Sequence, residues 1–366
     1  MSRDPASETI LFTGFPGFIG MRLLPRLLEL APGARVRCLV QPRLLEAARR
    51  GLAEIEAAHP DTRGRVDLVS GDITVPGLGL AADVATELTR ELTSAHHLAA
   101  VYDLAVARDL GQRVNALGTR NVVRFLAGCP RLERLHYVST CYVSGTATGV
   151  FRETDLDVGQ GFKNHYEETK FLAEVEVARS GLAATIYRPS IVVGDSRTGE
   201  TGKFDGPYFT LSAMERVPSP GLFVRVGSGK SPANIVPVDF VTEAIARLSV
   251  SPVSRGKTYH LADPQPLSAF EVGELFAREL GRRFAYVPVP ARLARALFSP
   301  GWVQRHFGMP VQSLDYFDHP CRYDTAQATS DLANLGVTCP PLPSYVGRLV
   351  AFYRVHRDGV RRAAMV

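Results

Sequence analysis

One short stretch constrains the fold of this chain more than any other: Thr13-Gly14-Phe15-Pro16-Gly17-Phe18-Ile19-Gly20, entered from the apolar run Ile10-Leu11-Phe12 and followed by Met21-Arg22-Leu23-Leu24. An apolar run, three glycines at three-residue spacing and a leucine-rich helical pattern describe a strand, a tight turn and a helix. In such a unit the first glycine permits the turn, the second lets a pyrophosphate reach the backbone, and the third lets the helix pack on the sheet. The helix start then offers N–H groups to an anion. A glycine-rich connection without a ligand shows the same pattern, and G-x-x-G-x-x-G departs from the commoner G-x-G-x-x-G, so the rest of the chain has to decide.

Apolar segments alternate with helical ones for the next 170 residues. Val36–Val40 reads as a second strand, 44–58 as a helix, Val66–Val69 as a third strand and His96–Ala100 as a fourth. A helix opens at Asn115-Ala116-Leu117-Gly118-Thr119, and Leu135–Thr140 is a strand ending in hydroxyl residues. This alternation predicts an α/β protein with a Rossmann-type, doubly wound parallel sheet. Residues 1–190 form the nucleotide-binding part and 191–366 a smaller, mainly substrate-binding region, with elements returning to the core around 234–250.

In a dinucleotide-binding fold the end of the second strand meets the adenosine ribose. A carboxylate there would accept from the 2′-hydroxyl, but this chain has Gln41-Pro42-Arg43. With no carboxylate to repel a 2′-phosphate and Arg43 at hand, NADP is favoured over NAD; a solvated surface arginine explains Arg43 equally well. Asp72, just past the third strand, either meets an adenine amino group or caps the next turn. His96 and His97 are adjacent, but neighbours on a strand point to opposite faces, which argues against one shared metal. Asn115 reads as a residue that bonds backbone.

His165-Tyr166-Glu167-Glu168-Thr169-Lys170 begins a helix, and Tyr166 and Lys170, four apart, share a face. An ammonium beside a phenol lowers the tyrosine pKa towards the working range of a general acid for carbonyl reduction, and the Thr140 hydroxyl could hold the substrate oxygen in the same pocket.

The glycine turn, Asp72-Ile73, Leu98-Ala99-Ala100, Asn115, Tyr137–Gly145, Tyr166-x-x-x-Lys170 and Tyr187-Arg188-Pro189-Ser190 together resemble the extended short-chain dehydrogenase/reductase superfamily over residues 9 to about 265. Tyr166–Glu174 and Arg188–Gly194 most resemble its thioester reductase and fatty acyl-CoA reductase branch, also called male-sterility-like. The resemblance implies a catalytic triad of Thr140, Tyr166 and Lys170. It implies that the turn residues Gly14, Phe15, Gly17, Phe18, Ile19 and Gly20 hold a pyrophosphate. Arg43, Asp72, Ile73, Leu98, Ala99 and Asn115 would complete the adenosine side, and Lys170, Pro189 and Ser190 the nicotinamide side. Where the branch commonly carries arginine at the end of the second strand, this chain has Gln41.

The expected activity is therefore NADP(H)-dependent reduction of a ketone, aldehyde or acyl thioester of a hydrophobic or biosynthetic intermediate, NAD being an alternative cofactor. Two other readings use the same features: a sugar-nucleotide epimerase or dehydratase that retains its cofactor, and a non-catalytic NAD(P)-binding module.

Composition limits the partners. Acidic and basic residues number 37 and 42, giving +5 with no block of like charge, which lends little support to nucleic-acid binding. Five dispersed cysteines suggest reduced thiols in a cytoplasm, and none has zinc-ligand spacing, so no metal is expected. Met1–Glu8 lacks the apolar core of a signal peptide, and no run is long enough to span a membrane. Asp195–Tyr208 reads as a long mobile loop edging the substrate pocket. Asp239 is read as the N-cap of a helix and Ser268 as the N-cap of another. Pro290–Phe298 with Trp302 is an apolar helical segment suited to packing, a lid, a homodimer face or a membrane-surface contact.

Overall fold

In the computed structural model, which describes residues 8–307 and 311–357, neighbouring residues of the first strand enter different cores. Ile10 and Phe12 lie in one buried cluster and Leu11 in another. That arrangement requires a sheet covered on both faces, as parallel sheets are.

The sheet has seven parallel strands: β1 (Thr9–Thr13), β2 (Arg35–Val40), β3 (Val66–Ser70), β4 (Ser94–His97), β5 (Arg134–Val138), β6 (Ala184–Pro189) and β7 (Thr258–Leu261). Their spatial order is β3-β2-β1-β4-β5-β6-β7, so the order reverses between β1 and β4. At such a reversal the connections leave in opposite directions and open a crevice at the carboxyl ends of the strands. The first helix, Phe18–Leu30, buries Gly20, Leu23, Leu24, Leu27 and Leu28 on one stripe, as the three- and four-residue spacing dictates.

Beyond residue 190 the chain contributes to two places. Helix Val238–Val250 packs Ala244 and Ile245 into the first core, and β7 extends the sheet. A separate cluster joins Tyr208, Leu211 and Met214 to Leu275, Phe276, Leu349 and Tyr353. In the helix Ala291–Phe298, Ala294 packs with Val226 and Leu314, whereas Leu293, Leu297 and nearby Trp302 remain exposed.

Several expectations need correction. The fourth strand ends at His97, not Ala100, because the Thr13 hydroxyl takes the Ala99 N–H at 3.1 Å and shares the Leu98 N–H, at 3.2 Å, with the Thr13 carbonyl at 3.3 Å. Pro237 caps its helix; the Asp239 carboxylate instead accepts from Ser196 N at 2.8 Å and Oγ at 2.6 Å. The loop expected after Gly194 runs to the helix that begins at Pro207 and opens on a hydrogen-bonded turn: Asp195 Oδ1 accepts from Arg197 N and Thr198 N, and Gly199 N donates to the Asp195 carbonyl. Ser268 caps its helix with Glu271 as the reciprocal partner. Residues 1–7 of the N-terminal stretch lie outside the described residues. Among the described residues, no helix is long and apolar enough to cross a membrane.

Candidate active site

The crevice floor is the glycine turn. Gly14 has φ +91°, where a side chain is strained, and a Cβ there would lie 2.8 Å from Leu98 Cβ and 2.9 Å from Ala99 N. Added Cβ atoms at Gly17 and Gly20 would meet the Gly14 carbonyl oxygen at 2.7 and 2.6 Å. All three glycines are thus required by close contact, Gly14 with the segment after β4 and the other two with Gly14, and the turn delivers backbone to the start of the first helix with Gly17 as its N-cap. Phe15 is buried in the core, so it offers only main chain to a ligand. Phe18 and Ile19 are half-buried, with Ile19 packed on the same core.

At the ends of β2 and β3, Arg43 Nε donates to Gln41 Oε1 at 3.0 Å. Asp72 lies beside them and its Oδ1 accepts from Thr74 N at 2.8 Å, so it does cap its turn. Burial pushes the Asp72 carboxyl upward, but hydrogen bonds from Thr74 and Gln41 and the Arg43 charge hold it below its ordinary value. The Ile73 side chain is buried and packs against Gly118.

Asn115 braces the site, as its reading as a backbone-bonding residue expects. Its amide accepts from Val101 N at 2.8 Å and donates to the Val101 carbonyl at 3.2 Å and Thr169 Oγ1 at 3.1 Å. It ties the segment after β4 to the helix His165–Ala178.

That helix starts where it does because Asn164 accepts from Glu167 N at 3.0 Å, while Glu167 Oε2 accepts from Lys163 N at 2.9 Å. Tyr166 falls in its first turn and Lys170 one turn on. The structure brings Thr140, Tyr166 and Lys170 together at the end of β5, with 6%, 5% and 3% exposure. The Thr140 hydroxyl bonds the Tyr166 phenol and also accepts from Tyr142 N at 3.2 Å. Lys170 Nζ, however, donates to Tyr137 Oη and the Val138 carbonyl, both at 2.9 Å.

The expected lowering of the tyrosine pKa is therefore absent. Burial raises Tyr166 above its ordinary value, opposed by Thr140 and reinforced by Glu167 and Asp205, so it is a protonated phenol. Lys170 moves the other way: burial pushes it down to about 7, with Glu174 opposing.

Several residues escaped sequence reasoning. Behind Lys170, Glu174 pairs with Arg188 and accepts from Ser139 Oγ. Above the phenol, Tyr102 meets Tyr166 edge-on at 5.0 Å between ring centres. Lys203 lies 4.0 Å over Tyr102 and 2.5 Å from Asp205. Tyr102, Lys203 and Asp205 lie outside every motif, and Glu174 and Arg188, though inside two of them, carry a pairing that spacing alone does not reveal. The adjacent histidines diverge: His97 bonds Thr13 and Thr119, and His96 stacks with Phe12 and His136.

The residues fit a nicotinamide dinucleotide. The three glycines keep the turn bare of side chains, so that only backbone meets a ligand there, and at the other end, beyond Pro189, Ser190 Oγ is buried with no protein partner. A buried hydroxyl left so is costly unless a ligand satisfies it.

Residues 12–245 match the family described as male sterility protein. Among curated relatives, the non-canonical nonribosomal peptide synthetase FrzA of Cladobotryum sp is 28% identical over 72% of this chain and 26% of its own length. Fatty acyl-CoA reductase wat of Drosophila melanogaster is 26% identical over 64% of this chain and 53% of its own length. The chain thus spans about a quarter to a half of the length of these relatives. Among solved structures, the terminal R domain from the myxalamid PKS-NRPS biosynthetic pathway is 27% identical, with a TM-score of 0.80 over 97% of this chain and 92% of that one.

Proposed function

Since this chain belongs to the male sterility protein family of extended short-chain dehydrogenase/reductases, whose fold binds a nicotinamide cofactor, we propose that it is an NADPH-dependent reductase of an acyl thioester or the derived carbonyl of a biosynthetic intermediate. The observation that carries this reading is the buried Thr140–Tyr166 pair beside Lys170, at the carboxyl end of β5, facing the glycine cradle across the reversal of strand order.

The cofactor, when bound, supplies hydride to the carbonyl carbon. The chain's own residues supply position and a proton. Tyr166, kept protonated by burial, is competent as the general acid, and Thr140 aligns the oxygen that receives the proton. Lys170 contributes a cation whose charge varies around neutral pH. Gly14, Gly17 and Gly20 admit the pyrophosphate, Pro189 and Ser190 border the nicotinamide, and Leu98, Ala99 and Asp72 border the adenosine half. Arg43, with no acidic residue at the end of β2, supports NADPH over NADH. The thioester class follows from the relatives named as peptide synthetase, fatty acyl-CoA reductase and R domain.

The test is NADPH oxidation against acyl-thioester, aldehyde, ketone and sugar-nucleotide panels. Stoichiometric NADPH loss with a thioester supports the reading; catalysis with the cofactor retained points to an epimerase or dehydratase. Tyr166→Phe should lower kcat by about 10²–10⁴-fold with NADPH affinity unchanged, and an undiminished kcat overturns the role of the phenol. Arg43→Ala should raise KM for NADPH about tenfold, roughly 1.4 kcal/mol, without affecting NADH.

A further inference from the structure

Five side chains form a buried hydrogen-bond chain beneath the site. Thr13 Oγ1 lies 2.7 Å from His97 Nδ1, and His97 Nε2 lies 3.0 Å from Thr119 Oγ1. Thr119 bonds the Tyr137 hydroxyl, and Tyr137 Oη receives Lys170 Nζ at 2.9 Å. The order of donors follows from valence. Thr13 Oγ1 already accepts from Leu98 N and Ala99 N, so its proton points at His97 Nδ1. His97 is then the Nε2–H tautomer and donates to Thr119, which donates in turn to Tyr137. Burial, with Lys170 adding to it, pushes His97 down to about 3, so the ring is neutral as this order requires.

We propose that Tyr137 is a positioning residue for Lys170, and that Thr119, His97 and Thr13 lock it, tying the lysine to the strand end that carries the glycine turn. An ammonium has three N–H donors. Tyr137 Oη and the Val138 carbonyl take two of them, which leaves one N–H for a ligand. The groups facing Lys170 are few: Tyr166 and Glu174 on its own helix, Tyr137 with the Val138 carbonyl on β5, and His97 on β4. Of these, Tyr137 is the neutral side chain that accepts from the ammonium, since burial holds its phenol well above the ordinary value. This role rests on the reductase reading for its effect on turnover, but not for its effect on the lysine itself.

The chain contains five lysines, Lys163, Lys170, Lys203, Lys230 and Lys257, so ¹⁵N-lysine NMR of the full chain can follow Lys170 alone, assigned with Lys170→Arg. Tyr137→Phe removes one oxygen and keeps the ring. It should lower the Lys170 pKa by about one unit and move the alkaline limb of kcat/KM down with it. Thr119→Val should shift the lysine in the same direction, less far, and add nothing in the Tyr137→Phe background. A Lys170 that titrates in folded Tyr137→Phe as in the wild type overturns the proposal, as does a Thr119→Val effect that adds in full. A wild-type enzyme that titrates as expected but oxidises no NADPH sinks the reductase reading and leaves the positioning role standing.

Discussion

Arg188 Nη2 lies 2.5 Å from Glu174 Oε1, with both side chains almost wholly buried. The two residues sit in separate sequence motifs, and the ion pair joins them directly behind Lys170. Arg188 also donates to the carbonyls of Glu153 and Asp155 and to His260 Nε2, which satisfies the remaining guanidinium N–H groups. Removing one partner leaves a buried charge uncompensated. Glu174→Gln should destabilise the protein by about 3–5 kcal/mol, read as a lower urea midpoint with unchanged slope. It should also lower the Lys170 pKa further, because Glu174 is the charge that supports the ammonium. A midpoint equal to that of the wild type would contradict this account of the pair.

Gly14→Ala offers a test of the cradle. The substitution meets left-handed backbone and a Cβ contact of 2.8 Å with Leu98. Backbone strain alone costs about 1–2 kcal/mol, and relieving the contact moves the segment after β4. NADPH affinity, followed by fluorescence titration, should fall by more than the thermal stability suggests, and Gly17→Ala should behave likewise through the Gly14 carbonyl. Unchanged affinity in both variants would place the dinucleotide elsewhere.

The sequence made the cradle readable because backbone geometry there dictates residue identity, and only glycine satisfies all three contacts. The pairing of Tyr166 with Lys170 on one helical face was equally readable, since helical spacing fixes it. The direction of the lysine was not: its ammonium is captured by Tyr137 and Val138, on a strand distant in sequence. The end of β4 was missed for the same reason, as a threonine hydroxyl on β1 takes the Ala99 donor and shares that of Leu98 with the Thr13 carbonyl. Asp239 matched the pattern of a cap, yet its partner was Ser196, which only the folded chain brings near.

Stability should depend on pH through Lys170. Its value in the folded protein is about 7 against 10.5 ordinarily. Between those values the unfolded chain binds a proton that the folded chain does not, so stability rises with pH across this window. The contribution is complete above the unfolded value and lost as pH falls through about 7. Lys170→Met should flatten this part of the profile, measured by urea unfolding from pH 6 to 10, a range set by those two values. Identical slopes in the two proteins would show that the lysine is not desolvated.

Lys203 should matter to turnover although it is remote from the motif helix in sequence. Its Nζ sits 4.0 Å over the Tyr102 ring, and Tyr102 packs edge-on to Tyr166 at 5.0 Å. The segment that carries it also rests on the first helix: Glu200 pairs with Arg22 at 3.0 Å, and Gly202 lies close to Phe18. A desolvated cation–π contact contributes about 1–2 kcal/mol, enough to keep Tyr102 pressed against the phenol. Lys203→Met leaves the aliphatic stem and removes the charge, and Asp205 then faces Tyr166 without its counter-ion. Both changes act on the phenol, so kcat should fall by about tenfold, the rate equivalent of 1.4 kcal/mol, with KM for NADPH unchanged. Lys203→Arg should recover most of the loss, because a guanidinium stacks on the same ring. In a Tyr102→Leu background the Lys203→Met loss should shrink, since the route through the ring is already gone. A full additional loss there would show that Lys203 reaches the reaction by another path.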